Sequence, residues 1–197
     1  MPRKPDPTRK PELLGQILEH LTTRTLATVS FRTLAEALGV STYVFVYHFG
    51  NRAQLLAEIV RAVVARQSRA LEVDPVSLDG VAWATVMRAA WADASSDYGR
   101  QLQRLEFEAA MIEMVEGDER GVARVSVAAW RDFVASWVRS RGVDSAPAAV
   151  EAQLFTAAVY GLQYDALATG DSDRVAAAFD RHLGRFVDRV DRMVAAG

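Results

Sequence analysis

Hydrogen-bonding side chains that suit nucleic acid are concentrated in a short stretch, Ser41–Arg52 (STYVFVYHFGNR). Hydroxyl groups of Thr and Tyr can donate to phosphate oxygens or base edges, and a guanidinium group binds phosphate well. Catalytic chemistry has less support, because His20, His48 and His182 have no carboxylate at a useful spacing. The sequence also lacks an HExxH motif, a GxSxG motif and a Gly-rich phosphate loop. We therefore expect a binding protein and not an enzyme.

The residues around this stretch predict two short helices joined by a tight turn. Leu34 and Leu38 lie on one apolar stripe, and Gly39 supplies the positive φ that a sharp helix exit needs. Ser41 can cap the next helix by accepting one of its free N–H groups. The pattern is typical of a helix-turn-helix whose second helix, from about Thr42 to His48, enters a major groove, although any helical hairpin shares part of it.

The outward face of that second helix is the predicted reading surface. Phe45 should point into the core, and His48 either packs at the helix end or reads bases. The outward side chains are Thr42, Tyr43, Val46 and Tyr47, of which Val46 can contact a thymine methyl group. The helix has no Lys or Arg, so attraction to phosphate must come from neighbouring cations. The candidates are Arg32, Arg52 and, near the N-terminus in a solvated tail or a minor-groove arm, Arg3, Lys4, Arg9 and Lys10.

Composition and charge favour the same class of protein. Half of the 197 residues are hydrophobic, and there is no cysteine, which removes disulfides and thiolate metal sites. No apolar stretch is long enough to span a membrane and no signal-peptide pattern appears, so we expect a cytosolic protein without cofactor or metal.

Up to Arg69 there are ten Lys and Arg against five Asp and Glu, whereas the remainder has thirteen against twenty. Only the basic N-terminal third is therefore expected to meet phosphate.

Helical periodicity and chain breakers predict an all-α fold of about nine helices. Asn51 and Gln54 form a capping pair that opens a helix continuing to about Glu72. Later breakers separate helical segments of about 18 to 24 residues, and no strand-like alternation appears. We predict two domains, residues 1–66 with the helix-turn-helix and residues 67–197 as a helical domain.

Aromatic and Met side chains recur at helical spacing in the second domain, which indicates either a plain core or an adaptable apolar pocket. The candidate pocket residues are Trp83, Met87, Trp91, Phe107, Met111, Met114, Trp130, Phe133, Trp137, Tyr160 and Tyr164.

The last two predicted helices carry a second pattern. The final helix has apolar residues spaced 4, 3, 4 and 3, and the one before it has small residues that permit close approach. Such a seam packs either on its own domain or across a dimer interface. The candidate interface residues are Leu154, Ala157, Ala158, Gly161, Phe179, Leu183, Phe186, Val190 and Met193.

The segment from Ser30 to Leu56 resembles the TetR-type transcriptional regulators. The resemblance covers about a quarter of the chain without gaps, and it differs from the usual pattern at Thr42, Tyr43, Val46 and Tyr47, so no operator sequence is inherited from it. The matching positions are Ser30, Leu34-Ala35, Gly39-Val40-Ser41, Phe45, His48-Phe49 and Asn51-Arg52.

This resemblance implies a ligand-responsive DNA-binding regulator that acts as a repressor. It implies that Arg32 reaches the groove and that Arg52 holds phosphate at a helix N-terminus. It further implies an apolar cavity for an unknown effector and a homodimer, formed by the last two helices, that binds a palindromic operator. A DNA-binding dimeric adaptor without a ligand is the alternative, and a helical-bundle enzyme is a remote one.

Overall fold

The computed structural model describes residues 8–118 and 121–196, and within these ranges the chain forms nine α-helices and no β-strand. The predicted all-α fold is therefore confirmed. The helices are α1 (Arg9–Leu21), α2 (Phe31–Leu38), α3 (Thr42–Phe49), α4 (Arg52–Gln67), α5 (Gly80–Ser95), α6 (Asp97–Glu116), α7 (Val122–Ser140), α8 (Ser145–Thr169) and α9 (Ser172–Ala196). Three short 3-10 turns interrupt the connections, namely η1 (Leu26–Thr28), η2 (Arg69–Glu72) and η3 (Pro75–Ser77). None of the described helices is long and apolar enough to cross a membrane.

The helices form two compact units that are not contiguous in sequence. The first unit comprises Met1–Arg66 and Leu105–Ala123, and the second comprises Gln67–Arg104 and Arg124–Gly197. The sequence placed a single boundary near residue 66 and did not anticipate that 105–123 would join the first unit. Helix α6 is consequently shared, because its first eight residues belong to the second unit and the rest belong to the first.

The first unit has a core built by the apolar faces of its first four helices. Helix α1 buries its face because Leu13, Ile17, Leu18 and Leu21 follow helical spacing. Helix α3 contributes Phe45 and α4 contributes Leu55 and Ile59, all fully buried. The Phe45 ring stacks between the rings of Phe31 and Phe49, at centroid distances of 6.0 and 6.3 Å. Burying Phe45 and Phe49 fixes the rotation of α3 about its own axis.

The second unit is organised around stacked aromatic rings. Trp83 of α5 lies parallel to Trp137 of α7 with ring centroids 4.4 Å apart, and Trp91 stacks on Phe179 of α9 at 4.3 Å. Phe186 of α9 packs against Phe155 of α8 at 4.3 Å. Such offset and stacked arrangements are the favourable geometries for aromatic side chains. These rings form one continuous core shared by α5, α7, α8 and α9.

The predicted dimer seam on α9 belongs to this core, and four of its assignments are wrong. Their spacing does place them on one helix face, but that face packs against the protein's own α5 and α8, so they cannot meet a second copy. Met193 also packs partly against the core. The four buried residues are Phe179, Leu183, Phe186 and Val190.

Five of the predicted pocket residues are core residues as well. They are buried and mutually packed, so the simpler of the two interpretations of the aromatic stripe applies to them. The five are Trp83, Met87, Trp91, Phe133 and Trp137. Trp130 is half-buried against the same core, and Tyr160 is half-buried on α8.

The remaining predicted pocket residues lie on α6 and α8. Phe107, Met111 and Met114 lie on the part of α6 that belongs to the first unit, and both methionines are exposed. Tyr164 is exposed on α8 in the second unit.

Candidate nucleic-acid interface

Helix α2 begins with a complete capping box. The Ser30 hydroxyl accepts a hydrogen bond from the Thr33 N–H at 3.1 Å, and the Ser30 N–H donates to the Thr33 hydroxyl at 3.0 Å. The Thr33 hydroxyl also donates to the Thr28 carbonyl at 3.0 Å, which ties the helix start to η1. Two otherwise unpaired N–H groups are satisfied in this way, so α2 has a sharply defined start. Arg32, the second residue of α2, is exposed there.

The turn between α2 and α3 forms as predicted. Gly39 adopts φ +65°, which an L side chain rarely tolerates, and the Val40 N–H then donates to the Ala35 carbonyl at 3.1 Å. The Ser41 hydroxyl accepts the Tyr43 N–H at 3.2 Å and caps α3. A left-handed glycine followed at once by a cap sets the angle between the two helices within three residues.

Helix α3 is a short helix with two opposite faces. Its inner face carries the buried Phe45 and Phe49 described above. On its outer face Tyr43 is 69% exposed, Val46 47% and Tyr47 58%, and Thr42 is exposed at the helix start. Tyr43, Val46 and Tyr47 are spaced i, i+3 and i+4, so they share one surface. An exposed apolar surface of this kind marks an interaction site more often than a solvated one.

His48 lies at the edge of this outer surface and is half-buried. Its ring meets the Tyr47 ring edge-on, with centroids 5.0 Å apart, and lies 6.3 Å from the Phe49 ring. This position supports the packing alternative for His48, because the imidazole holds the Tyr47 ring in place.

The start of α4 is anchored twice. The Asn51 side chain accepts the Gln54 N–H at 2.9 Å, and the Gln54 side chain accepts the Asn51 N–H at 3.3 Å, so the predicted capping pair is present. Arg52 then donates from Nε to the carbonyl of Val29 at 2.7 Å. This bond holds the first turn of α4 against Val29, the residue that follows η1. No local pattern predicts this bond, because Val29 and Arg52 are 23 residues apart.

The N-terminal cations differ from their prediction. Arg9 and Lys10 lie in the first turn of α1, where Arg9 is 3.7 Å from Glu12 and Lys10 is 3.1 Å from Glu58 of α4. Lys10 also lies 5.6 Å above the Phe49 ring. An N-terminal arm that includes these two residues is therefore wrong. Arg3 and Lys4 fall outside the described residues.

The pKa of Glu58 reflects its contact with Lys10. Its partial burial acts to raise its pKa, but hydrogen bonds and charge from Lys10 and Arg61 outweigh burial and leave the pKa below its ordinary value. Lys10 is therefore paired with Glu58 within the first unit. Arg32 and Arg52 are the Lys or Arg residues nearest in sequence to the outer face of α3.

A carboxylate from α6 completes the first unit. Glu108 accepts a hydrogen bond from the Leu26 N–H in η1, with the oxygen and nitrogen 2.6 Å apart. The contact joins α6 to the segment that leads into α2. Sequence reasoning missed Glu108, because a single Glu on a long helix with mixed polarity is normally a solvated residue.

The second unit presents a further surface on α8. Val150, Leu154, Ala157, Gly161 and Tyr164 are exposed and spaced 4, 3, 4 and 3. They form a continuous stripe on the side of α8 away from Phe155 and the core. Three of them were predicted as interface residues, whereas Val150 was not predicted and Tyr164 was assigned to the pocket. Ala158 is half-buried beside the stripe.

Comparisons with known proteins support the fold. Neither a protein-family model nor a curated protein matches the sequence. Among solved structures, a transcriptional regulator from Rhodococcus sp. Rha1 matches with a TM-score of 0.76 and 18% identity, over 91% of this chain and 96% of that one. A TetR transcriptional regulator from Legionella pneumophila matches with a TM-score of 0.63 and 14% identity, over 98% of both chains.

A third match is the TetR family repressor AlkX from Dietzia sp., which is implicated in biodegradation of n-alkanes. It has a TM-score of 0.53 and 14% identity and covers 96% of this chain and 97% of its own. The chain therefore has the fold of TetR-family transcriptional regulators, and this likeness in fold covers 91–98% of the chain.

Proposed function

We propose that this protein is a DNA-binding transcriptional regulator that acts as a homodimer. The observation that carries the proposal is the outer face of α3, where Tyr43, Val46 and Tyr47 are exposed on a helix that is capped at its start by Ser41 and ends at Gly50. Rigid presentation of a short helix is what major-groove reading requires. Arg32 and Arg52 stand at the starts of α2 and α4 and supply the positive charge that α3 lacks.

Arg52 has two tasks in this proposal. Its Nε is bonded to the Val29 carbonyl, which leaves the two terminal nitrogens of the guanidinium free of that contact and able to bind a phosphate at the N-terminus of α4. The same side chain therefore fixes the distance between the starts of α2 and α4 and neutralises DNA charge. Lysine would keep the charge but lose the planar fork.

The dimer is proposed to form through the outer stripe of α8. Its small central residues Ala157 and Gly161 permit close approach, and Val150, Leu154 and Tyr164 supply apolar area. Two copies related by a two-fold axis bury the same stripe against itself. The two reading helices then address a palindromic site whose half-sites are about one DNA turn, or a multiple of it, apart.

The proposal also includes a response to a small-molecule ligand. Thr156 and Gln163 lie two turns apart on one face of α8, and neither the Thr156 hydroxyl nor the Gln163 carbonyl oxygen has a hydrogen-bond partner among the described residues. Buried polar atoms normally have partners, so this pair supports a bound molecule that donates hydrogen bonds. Binding releases the regulator, a repressor, from its operator.

A DNA-binding dimer without a small-molecule ligand is the second candidate. The tight stacking of Trp83 on Trp137 and of Trp91 on Phe179 favours it, because these rings fill the space that the sequence had assigned to an effector. Thermal stability of the protein against a metabolite library separates the two candidates, since a ligand of the folded state must raise the melting temperature. Thr156→Val should abolish that rise. Absence of any stabilising compound favours the second candidate.

DNA binding is tested by selection from random-sequence duplexes. We expect the protein to enrich a palindrome and to bind it with two protomers per duplex. Tyr43→Ala should change the preferred sequence, whereas Tyr98→Ala, which alters an exposed tyrosine of α6, should not. Enrichment of no sequence at moderate salt would overturn the proposed function, because sequence-independent phosphate binding is weaker there and a sequence preference is then visible.

A further inference from the structure

The outer face of α3 is apolar in a way that limits what it can read. Its large exposed side chains are Tyr43, Val46 and Tyr47, and no Lys or Arg lies anywhere between Thr42 and Phe49. The rotation of the helix is fixed by the buried rings of Phe45 and Phe49 on the opposite face. Val46 shares this face with the two tyrosines and has no polar side-chain atom. Its side chain can therefore contribute to recognition only through apolar contact.

Base edges in the major groove offer one apolar group. Guanine presents the acceptors N7 and O6, which are matched best by Arg or Lys, and adenine is matched by Asn or Gln. None of these residue types occurs on α3. Hydroxyl groups such as those of Thr42 and Tyr43 can bond to several bases and so specify sequence weakly, whereas apolar side chains contact the C5-methyl group of thymine in particular.

We propose that α3 recognises C5-methyl groups of pyrimidines, with Val46 as the principal contact and the Tyr43 ring beside it. This inference rests on the proposed DNA-binding function and adds its chemistry: sequence preference depends on thymine methyl groups and not on guanine contacts from α3. The same contact accepts the methyl group of 5-methylcytosine, so methylation of a cytosine at that position strengthens binding.

The test uses the duplex enriched by selection, with each thymine of one half-site replaced in turn by uracil. This replacement removes the methyl group and leaves the base-pairing atoms unchanged. At the contacted position we expect about a fourfold weaker binding (~0.8 kcal/mol), the effect of exposing one methyl-sized group, and the square of that factor when both half-sites are changed. Placing cytosine there and then 5-methylcytosine should recover about fourfold.

The matched variants assign the effect to the side chain. Val46→Ala should bind the thymine and uracil duplexes equally, whereas Val81→Ala, which alters an exposed valine of α5, should keep the full difference. Circular dichroism of Val46→Ala confirms that the variant is folded. Equal binding of uracil and thymine duplexes by the unaltered protein would overturn the inference while leaving the proposed function intact. Persistence of the difference in Val46→Ala would also overturn it, and failure to enrich any duplex would overturn both.

Discussion

Helices α8 and α9 have the same length, 25 residues, and both carry apolar residues at alternating spacings of three and four, yet they use them differently. Helix α9 has one apolar stripe, which is buried in its own unit, and its opposite face is charged, with Arg181, Arg185 and Asp188 exposed. Helix α8 has an inner stripe containing Phe155 and a second stripe, containing Leu154, that remains exposed. Apolar spacing therefore shows that a helix buries one face in its own unit. Only a second apolar stripe that stays exposed, as on α8, indicates an interface with another molecule.

The largest expected effect comes from the buried stripe of α9. Phe186 packs against Trp137, Phe155 and Trp83, with ring centroids 5.8, 4.3 and 6.4 Å away. Phe186→Ala should lower the free energy of unfolding by about 3–5 kcal/mol, because it removes this contact area and leaves a cavity. Chemical denaturation measures the change. A loss below about 1 kcal/mol would show that Phe186 is not a core residue.

A substitution in the exposed stripe of α8 should disrupt assembly and leave the fold intact. Leu154→Asp places a carboxylate on the proposed interface and should yield folded monomers, because the charge cannot be buried unpaired when two copies associate. Sedimentation measures the assembly, and circular dichroism measures the fold. Ala149→Asp, at an exposed position on α8 off the stripe, should remain dimeric. A Leu154→Asp protein that is still a dimer would move the interface to another surface.

Substitutions of Arg52 separate the effect of its charge on DNA binding from the effect of its hydrogen bond to the Val29 carbonyl. Arg52→Ala should weaken binding to selected and random duplexes alike and should reduce the salt slope by about one unit per protomer. Arg52→Lys should retain the slope but weaken selectivity, because the bond to the Val29 carbonyl is lost. Fluorescence anisotropy across a salt series gives both quantities. An unchanged slope in Arg52→Ala would exclude a phosphate contact.

A smaller effect is expected from His182 on α9. Burial lowers its pKa below the ordinary value of 6.5, although a backbone hydrogen bond to Phe155 acts in the other direction. Below pH 6.5 the unfolded chain binds a proton that the folded chain does not, so stability should fall as the pH decreases from neutral. Denaturation at a series of pH values measures this fall, which His182→Gln should reduce. An identical pH dependence in the variant would assign the fall to other groups.

Local signals in the sequence predicted much of the first unit correctly. Gly39, Ser41 and the Asn51–Gln54 pair act within a few residues, and their chemistry can be read without knowing the rest of the fold. Contacts between distant residues could not be read in this way. The bonds from Arg52 to Val29 and from Leu26 to Glu108 depend on tertiary packing, as does the assignment of 105–123 to the first unit.

The same limit explains the errors in the second unit. Aromatic and apolar spacing placed Trp83, Trp137 and Phe186 on apolar helix faces. Periodicity alone does not distinguish a filled core from a cavity or a subunit interface. Only the packing of the rings on one another assigned these residues to the core.

Hydrogen exchange of the unaltered protein with and without the selected duplex tests the central claim most directly. We predict that DNA slows exchange of the backbone amides of α3, from Tyr43 to Gly50, and of the first turn of α4, because DNA covers this surface and suppresses its local opening. The amides of α8 should be unchanged if the dimer is already formed. Unchanged exchange in α3, with protection elsewhere, would show that the protein binds DNA through a different surface and would contradict the account.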